Sequence, residues 1–184
     1  MAKAPSGCDA TMNTEHATIG MWVAMMAVMM LPGASPAARR ADRKLSFLAI
    51  YFVTWAAFGV AAAGIEFLLT SRGLLTSDLV LLNQATAGFV LIAIGAYELT
   101  PWKHEFLQAC RASQVTGRPY SLACLGASWA LMGTLFVLGV MNYFWIAGLA
   151  LLIAAQKSLP WGGVLASAAG IGFIIWGGLK LFVV

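Results

Sequence analysis

Leu45-Ser46-Phe47-Leu48-Ala49-Ile50-Tyr51-Phe52-Val53-Thr54-Trp55-Ala56-Ala57-Phe58-Gly59-Val60-Ala61-Ala62-Ala63-Gly64-Ile65-Glu66-Phe67-Leu68-Leu69 carries one charged side chain, Glu66. A helix needs about 20 predominantly apolar residues to cross the hydrocarbon layer of a bilayer. This run supplies them without a break. A membrane β-barrel would instead show ~10-residue segments of alternating hydrophobicity. Open sheets cannot satisfy their backbone groups in lipid. The run therefore predicts a membrane-crossing helix.

The rest of the chain has the same character. Of 184 residues, 61% are apolar and 10% charged, and the mean hydropathy is +0.84. A soluble domain carries roughly a quarter charged residues. Eleven basic and seven acidic side chains cannot coat a water-facing surface. The composition predicts an all-α, polytopic membrane helix bundle of about six transmembrane helices, multi-pass in a bacterial inner (cytoplasmic) membrane. Spans are expected at about 17–36, 46–69, 79–99, 121–141, 143–157 and 161–182. Residues 1–16 form an extramembrane N-terminal segment, residues 17–184 a single transmembrane domain, and residues 100–119 an interfacial segment opening at Pro101-Trp102. Asn142 marks a reversal of a residue or two between the fourth and fifth spans. Ile19 to Leu31, followed by Pro32-Gly33-Ala34-Ser35, bears a slight likeness to a removable signal peptide. The long stretch before it, with Asp9 and Glu15, favours a retained span.

Charge sets the expected orientation. Arg39, Arg40, Arg43, Lys44, Lys103, Arg111, Arg118 and Lys157 fall on one side of six spans, and Lys3, Arg72 and Lys180 on the other. The positive-inside rule puts the larger group in the cytoplasm and both termini outside it. No basic face repeats along a helix, so the net charge of +4 reads as topology and not as a nucleic-acid surface. Trp22, Trp102, Trp145, Trp161 and Trp176 lie near expected span ends, as interfacial anchors would. Gly163, Gly170 and Gly177 recur every seven residues in the last span, and Gly126 and Ala130 are four apart in the fourth. Small residues at such spacing let helix backbones approach closely.

The densest local feature is Met21-Trp22-Val23-Ala24-Met25-Met26-Ala27-Val28-Met29-Met30, which holds five of the nine methionines. On a helix Met21, Met25 and Met29 form one stripe, with Met26 and Met30 beside it. Such a stripe has two readings: methionine is an adaptable apolar filler, and its thioether is a soft ligand suited to Cu(I). The candidate metal residues are Met25, Met26, Met29, Met30, His16, Cys110 and Cys124. Cys8, Met12 and His16 are spaced by four and would share one face if that segment were helical. Three scattered cysteines do not make a disulfide framework. Glu66, Asn83, Gln84, Glu98, Asn142 and Gln156 are polar residues within or at the ends of spans. A charge in lipid needs a partner, a cavity or the interface. Glu66 and Glu98 are expected to reach water at span ends, with a buried proton or metal site as the alternative.

In order along the chain stand Trp22 with Ala24-Met25-Met26 and Leu31-Pro32, Tyr97-Glu98-Leu99-Thr100-Pro101-Trp102-Lys103 with Cys110-Arg111, and Cys124-Leu125-Gly126 with Trp129-Ala130-Leu131-Met132. Gly139-Val140-Met141-Asn142, Trp145, and Lys157 before Pro160 follow. The chain resembles a bacterial family of uncharacterised integral membrane proteins labelled as predicted metal-binding, over nearly all of its length after residue 20. The resemblance implies a multi-span helical protein with cysteines near the membrane surface. It also implies further cysteines where this chain has Phe106, Ala127 and Ser128, and an acidic residue where it has Gln156. A closed four-thiolate site is thus not available, while Cys110 and Cys124 could still meet.

No nucleotide-binding loop, catalytic serine motif or paired-carboxylate arrangement occurs, so an enzyme is not expected. His16 and His104 fall on opposite sides of the expected topology and could not share one centre. The expected roles are a copper-handling or assembly factor, with copper the possible metal, or an accessory subunit of a larger membrane complex. The alternative is a small transporter or channel-like protein for a metal ion or proton, although no pair of broken helices recurs in matching halves. The expected partners are the lipid bilayer and other membrane subunits, with no nucleic acid.

Overall fold

The fold is known from a computed structural model. It describes residues 7–75, 81, 83–112, 117–139 and 142–182, and in the first helix the side chains from residue 18 onward other than 36 and 40. The helices are α1 (Gly7–Arg40), α2 (Lys44–Ser71), α3 (Gln84–Glu98), α4 (Pro101–Arg111), α5 (Arg118–Gly133), α6 (Leu135–Leu138), α7 (Tyr143–Ser158) and α8 (Gly162–Phe182). Among the described residues the β-structure is limited to one isolated bridge, Leu75 with Leu81. The chain is all-α, as its composition predicts.

Among the described residues, four helical stretches are long and apolar enough to cross a membrane: Thr18–Ser35, Lys44–Ser71, Arg118–Leu138 and Gly162–Phe182. The helix of the expected third span is shorter than the sequence reading, whereas α7 matches the expected fifth span. α3 has 15 residues and α7 has 16, and at 1.5 Å per residue each covers less than the ~30 Å hydrocarbon layer. An asparagine cap fixes the start of each. Asn83 caps α3 by accepting from the Ala85 N–H at 2.9 Å, and Asn142 caps α7 by accepting from Phe144 N–H at 3.1 Å. Both asparagines are therefore helix-start residues, which satisfy donors that the first turn leaves free. The fourth expected span is helical through α5, turns at Thr134, resumes as α6 and stops at Gly139, whose φ of +96° suits glycine.

α1 and α2 form an antiparallel hairpin across Ala41 to Arg43, tight enough that a Cβ on Gly59 would sit 3.3 Å from the Trp22 carbonyl carbon. α3 and α8 make the most extensive helix pair. Gly88 faces Gly177 and Gly95 faces Gly170, so an added Cβ at Gly95 would lie 2.5 Å from the Gly170 carbonyl oxygen. Two of the three glycines noted in the last span thus serve backbone packing. Their partners Gly88 and Gly95, also seven apart, were not singled out from sequence. The third, Gly163, faces the His104 ring instead.

α4 occupies the first part of the 100–119 stretch. Thr100 caps it, Pro101 opens it, and Lys103, Leu107 and Cys110 form its buried stripe, while Trp102 is exposed.

Candidate metal centre

The methionine block lies on α1; of the Met21-Met25-Met29 stripe only Met29 is buried, with Met21 and Met25 half-buried, and the flanking Met26 and Met30 complete the interior face. Met26, Met29 and Met30 are 0, 3 and 1% exposed, and Met25 is half-buried against the same core. Val28 and Leu31, on the other face, are exposed. A helix in lipid could turn any apolar face outward, so the choice of the thioether face for the interior is informative. The cluster that holds these methionines also contains Cys110, Cys124, Tyr51, Trp55, Tyr120 and Met132.

Cys110 on α4 and Cys124 on α5 are joined as a disulfide, with Cα atoms 5.4 Å apart. They meet, as the sequence allowed. Tyr51 touches both sulfur groups' surroundings: its hydroxyl donates to the Met30 carbonyl at 3.2 Å, and its ring lies 6.1 Å from Tyr120, one turn before Cys124. α1 begins at Gly7, so positions 8, 12 and 16 lie within a helix, but the side chains of Cys8, Met12 and His16 fall outside the described ones. His104 lies on α4 with Nε2 3.5 Å from the Ser167 hydroxyl. Among the described residues, no three His, Cys, Asp or Glu side chains converge as a metal site would need. Soft sulfur donors are what the interior offers.

The two glutamates depart from expectation. Neither reaches water at a span end. Glu66 is buried and accepts a hydrogen bond from the Trp22 indole N–H, which ties α1 to α2. Trp22 is itself fully buried, with its ring 5.4 Å from Phe136, so it is not an interfacial anchor. Glu98 and Lys103 are 0% exposed and form an ion pair at 2.7 Å. Gln156 donates to the second Glu98 oxygen at 3.3 Å, and Lys103 also donates to the Gln156 side-chain oxygen at 3.2 Å and to the Ala127 carbonyl. Burial pulls the Lys103 amine below its ordinary range, and the Glu98 carboxylate opposes that shift. Every polar atom of this group that matters has a partner, which is the condition for burying charge. The group knots α3, α4, α5 and α7 together.

Lys157, one residue on, has no such partner. Its Nζ lies 5.8 Å from the centroid of the Trp55 ring and 4.0 Å from the Met30 sulfur. Sequence reading treated Lys157 as a topology charge and Trp55 as part of a span. A lysine placed in the last turn of an apolar helix was the available signal, but nothing local names its neighbours.

Residues 19–180 match the PpoB2 family, described as a copper chaperone. The chain belongs to that family. No curated protein and no solved structure matches it. The PpoB2 match runs from the start of the methionine block to the end of α8 and includes Met25, Met26, Met29, Met30, Cys110 and Cys124. It agrees with the metal-binding side of the resemblance seen in the sequence.

Proposed function

We propose that this PpoB2 member is a non-catalytic, membrane-embedded Cu(I)-handling protein, with copper as cargo held by the buried sulfur of α1. One observation carries the reading: Met26, Met29 and Met30 turn into the core that also holds the cysteine pair, and not toward lipid. Thioethers bind Cu(I) as neutral soft ligands without proton release, which suits a low-dielectric interior. Met25 is placed to join from the half-buried edge, and His16 stands earlier on the same helix as an entry ligand. Cys110 and Cys124 bind metal only as the dithiol, so their use requires an external thiol reductant. Copper binding would stop if the three buried thioethers were removed. Leucine matches methionine in volume, so a Met26→Leu/Met29→Leu/Met30→Leu protein should fold. It should lose Cu(I) in an anaerobic titration against a chromophoric chelator. An unchanged affinity would refute the assignment.

The membrane setting is part of the proposal. α1, α2, α5 with α6, and α8 cross the bilayer on their own length, and the shorter α3 and α7 traverse it beside them, so six passages still set the sides of the connections. The length of the α3–α8 glycine seam supports immersion of α3. Lys103 and Lys157 are buried, so they leave the topological count. Arg39, Arg40, Arg43, Lys44, Arg111 and Arg118 still outweigh Lys3, Arg72 and Lys180, which supports a cytoplasmic α4 side and outward termini in a bacterial inner membrane. A glycine-lined last helix would serve an accessory subunit if it packed against another chain. α3 fills that face within the same chain, so delivery of copper to a membrane partner is the better-supported role than structural membership of a complex.

A further inference from the structure

Lys157 presents an arrangement that the copper reading leaves unused. Its side chain is buried at the last turn of α7, between α1 and α2. Among the described residues no carboxylate lies within ion-pairing distance of its Nζ, whereas Lys103 nearby is fully paired. Burial of a charge without a counter-ion is costly, so the surroundings must supply electron density by other means. Two groups do. The Trp55 indole face, at 5.8 Å, falls within the range of a cation–π contact. The Met30 thioether sulfur lies at 4.0 Å. The lysine stem passes Gly33 of α1, where a Cβ would stand at ordinary contact distance, 3.5 Å, from the lysine Cδ.

An indole face and a thioether sulfur are neutral, electron-rich and soft. Such a wall fits a monovalent soft cation better than it fits an ammonium, which prefers hard oxygen acceptors. We infer that Met30 and Trp55 wall a site for a monovalent soft metal ion, and that the Lys157 ammonium is a tethered stand-in that fills it when no metal is bound. Two cations cannot share the position. Metal entry therefore requires the ammonium to leave, and its place in the last turn of α7 lets a long lysine stem swing toward the interface. At delivery the returning ammonium competes with the metal and favours release. This inference rests on the copper reading through Met30, and it adds Trp55 and Lys157 to the site.

The test uses the full chain in detergent with the disulfide oxidised and Ag(I) as a redox-stable probe of soft monovalent binding. Lys157→Gln removes the charge and shortens the side chain by one atom. It should bind Ag(I) at least about tenfold more tightly than the parent, equivalent to ~1.4 kcal/mol. Parent protein saturated with Ag(I) should also show increased acetylation of Lys157 by mass spectrometry, since the amine has been expelled. If the parent binds Ag(I) and Lys157→Gln binds it equally or less well, the stand-in idea fails and the copper reading survives. Failure of both proteins to bind overturns both proposals. Should Lys157→Gln not fold, acetylation of the parent decides: unchanged labelling at saturation overturns the inference.

Discussion

The α3–α8 seam and the methionine face of α1 are both buried helix contacts, and they are built from opposite materials. Along the seam, Gly88, Gly95, Gly170 and Gly177 remove side chains so that carbonyl oxygens meet the opposite backbone. These four positions offer no side-chain ligand. On α1, Met26, Met29 and Met30 fill the contact with α2 and its neighbours by long polarizable side chains, with Trp55 and Lys157 alongside. In lipid, helices gain no hydrophobic drive from meeting each other, so close backbone packing is the cheaper way to join them. The methionine contact instead places bulky soft side chains between the helices.

The strongest way to break the comparison is to cut the polar knot that borders both regions. Lys103→Met leaves Glu98 buried and unpaired and should lower stability by about 3–5 kcal/mol, read as a fall in the thermal unfolding midpoint in detergent. The Glu98→Gln/Lys103→Met protein should recover most of that loss, since a pair of neutral groups replaces a lone charge. Next, Gly95→Ala drives a Cβ to 2.5 Å from the Gly170 carbonyl, and such overpacking costs about 1–3 kcal/mol. Copper stoichiometry of the folded fraction should stay at the parent value. The smallest effect on stability is expected from the methionine face. Each Met→Leu change at positions 26, 29 and 30 should cost under about 1.5 kcal/mol, while Cu(I) retention falls. Seam variants thus unfold without losing copper, and methionine variants lose copper without unfolding. A seam variant that lost copper while still folded would erase the distinction.

How much of this was legible in the sequence follows the range of the interactions. Apolar length and composition gave the all-α class, and the methionine periodicity marked a face of which Met26, Met29 and Met30 are buried. Cys110 and Cys124 could be read as able to meet. The α3 span is overextended in the sequence reading, because apolar residues precede the Asn83 cap, whereas α7 begins where the Asn142 reversal placed it. The glutamates were misjudged for a different reason. A carboxylate near a span end can reach water, and only the fold reveals that Trp22 answers Glu66 from another helix. Gln156 meets Glu98 from 58 positions away. The same holds for Lys157, whose neighbours Met30 and Trp55 come from the first two helices. The glycine seam was half-visible: the repeat in α8 was plain, and its complement in α3 required knowing the register.

X-ray absorption at the copper edge of the Cu(I)-loaded Cys110→Ser/Cys124→Ser protein asks most directly whether methionine sulfur holds the metal. With both cysteines of the pair removed, the account predicts that sulfur still dominates the first shell and that this sulfur scattering disappears when Met26, Met29 and Met30 become leucine. A first shell of nitrogen and oxygen alone, the same with and without those methionines, would contradict it.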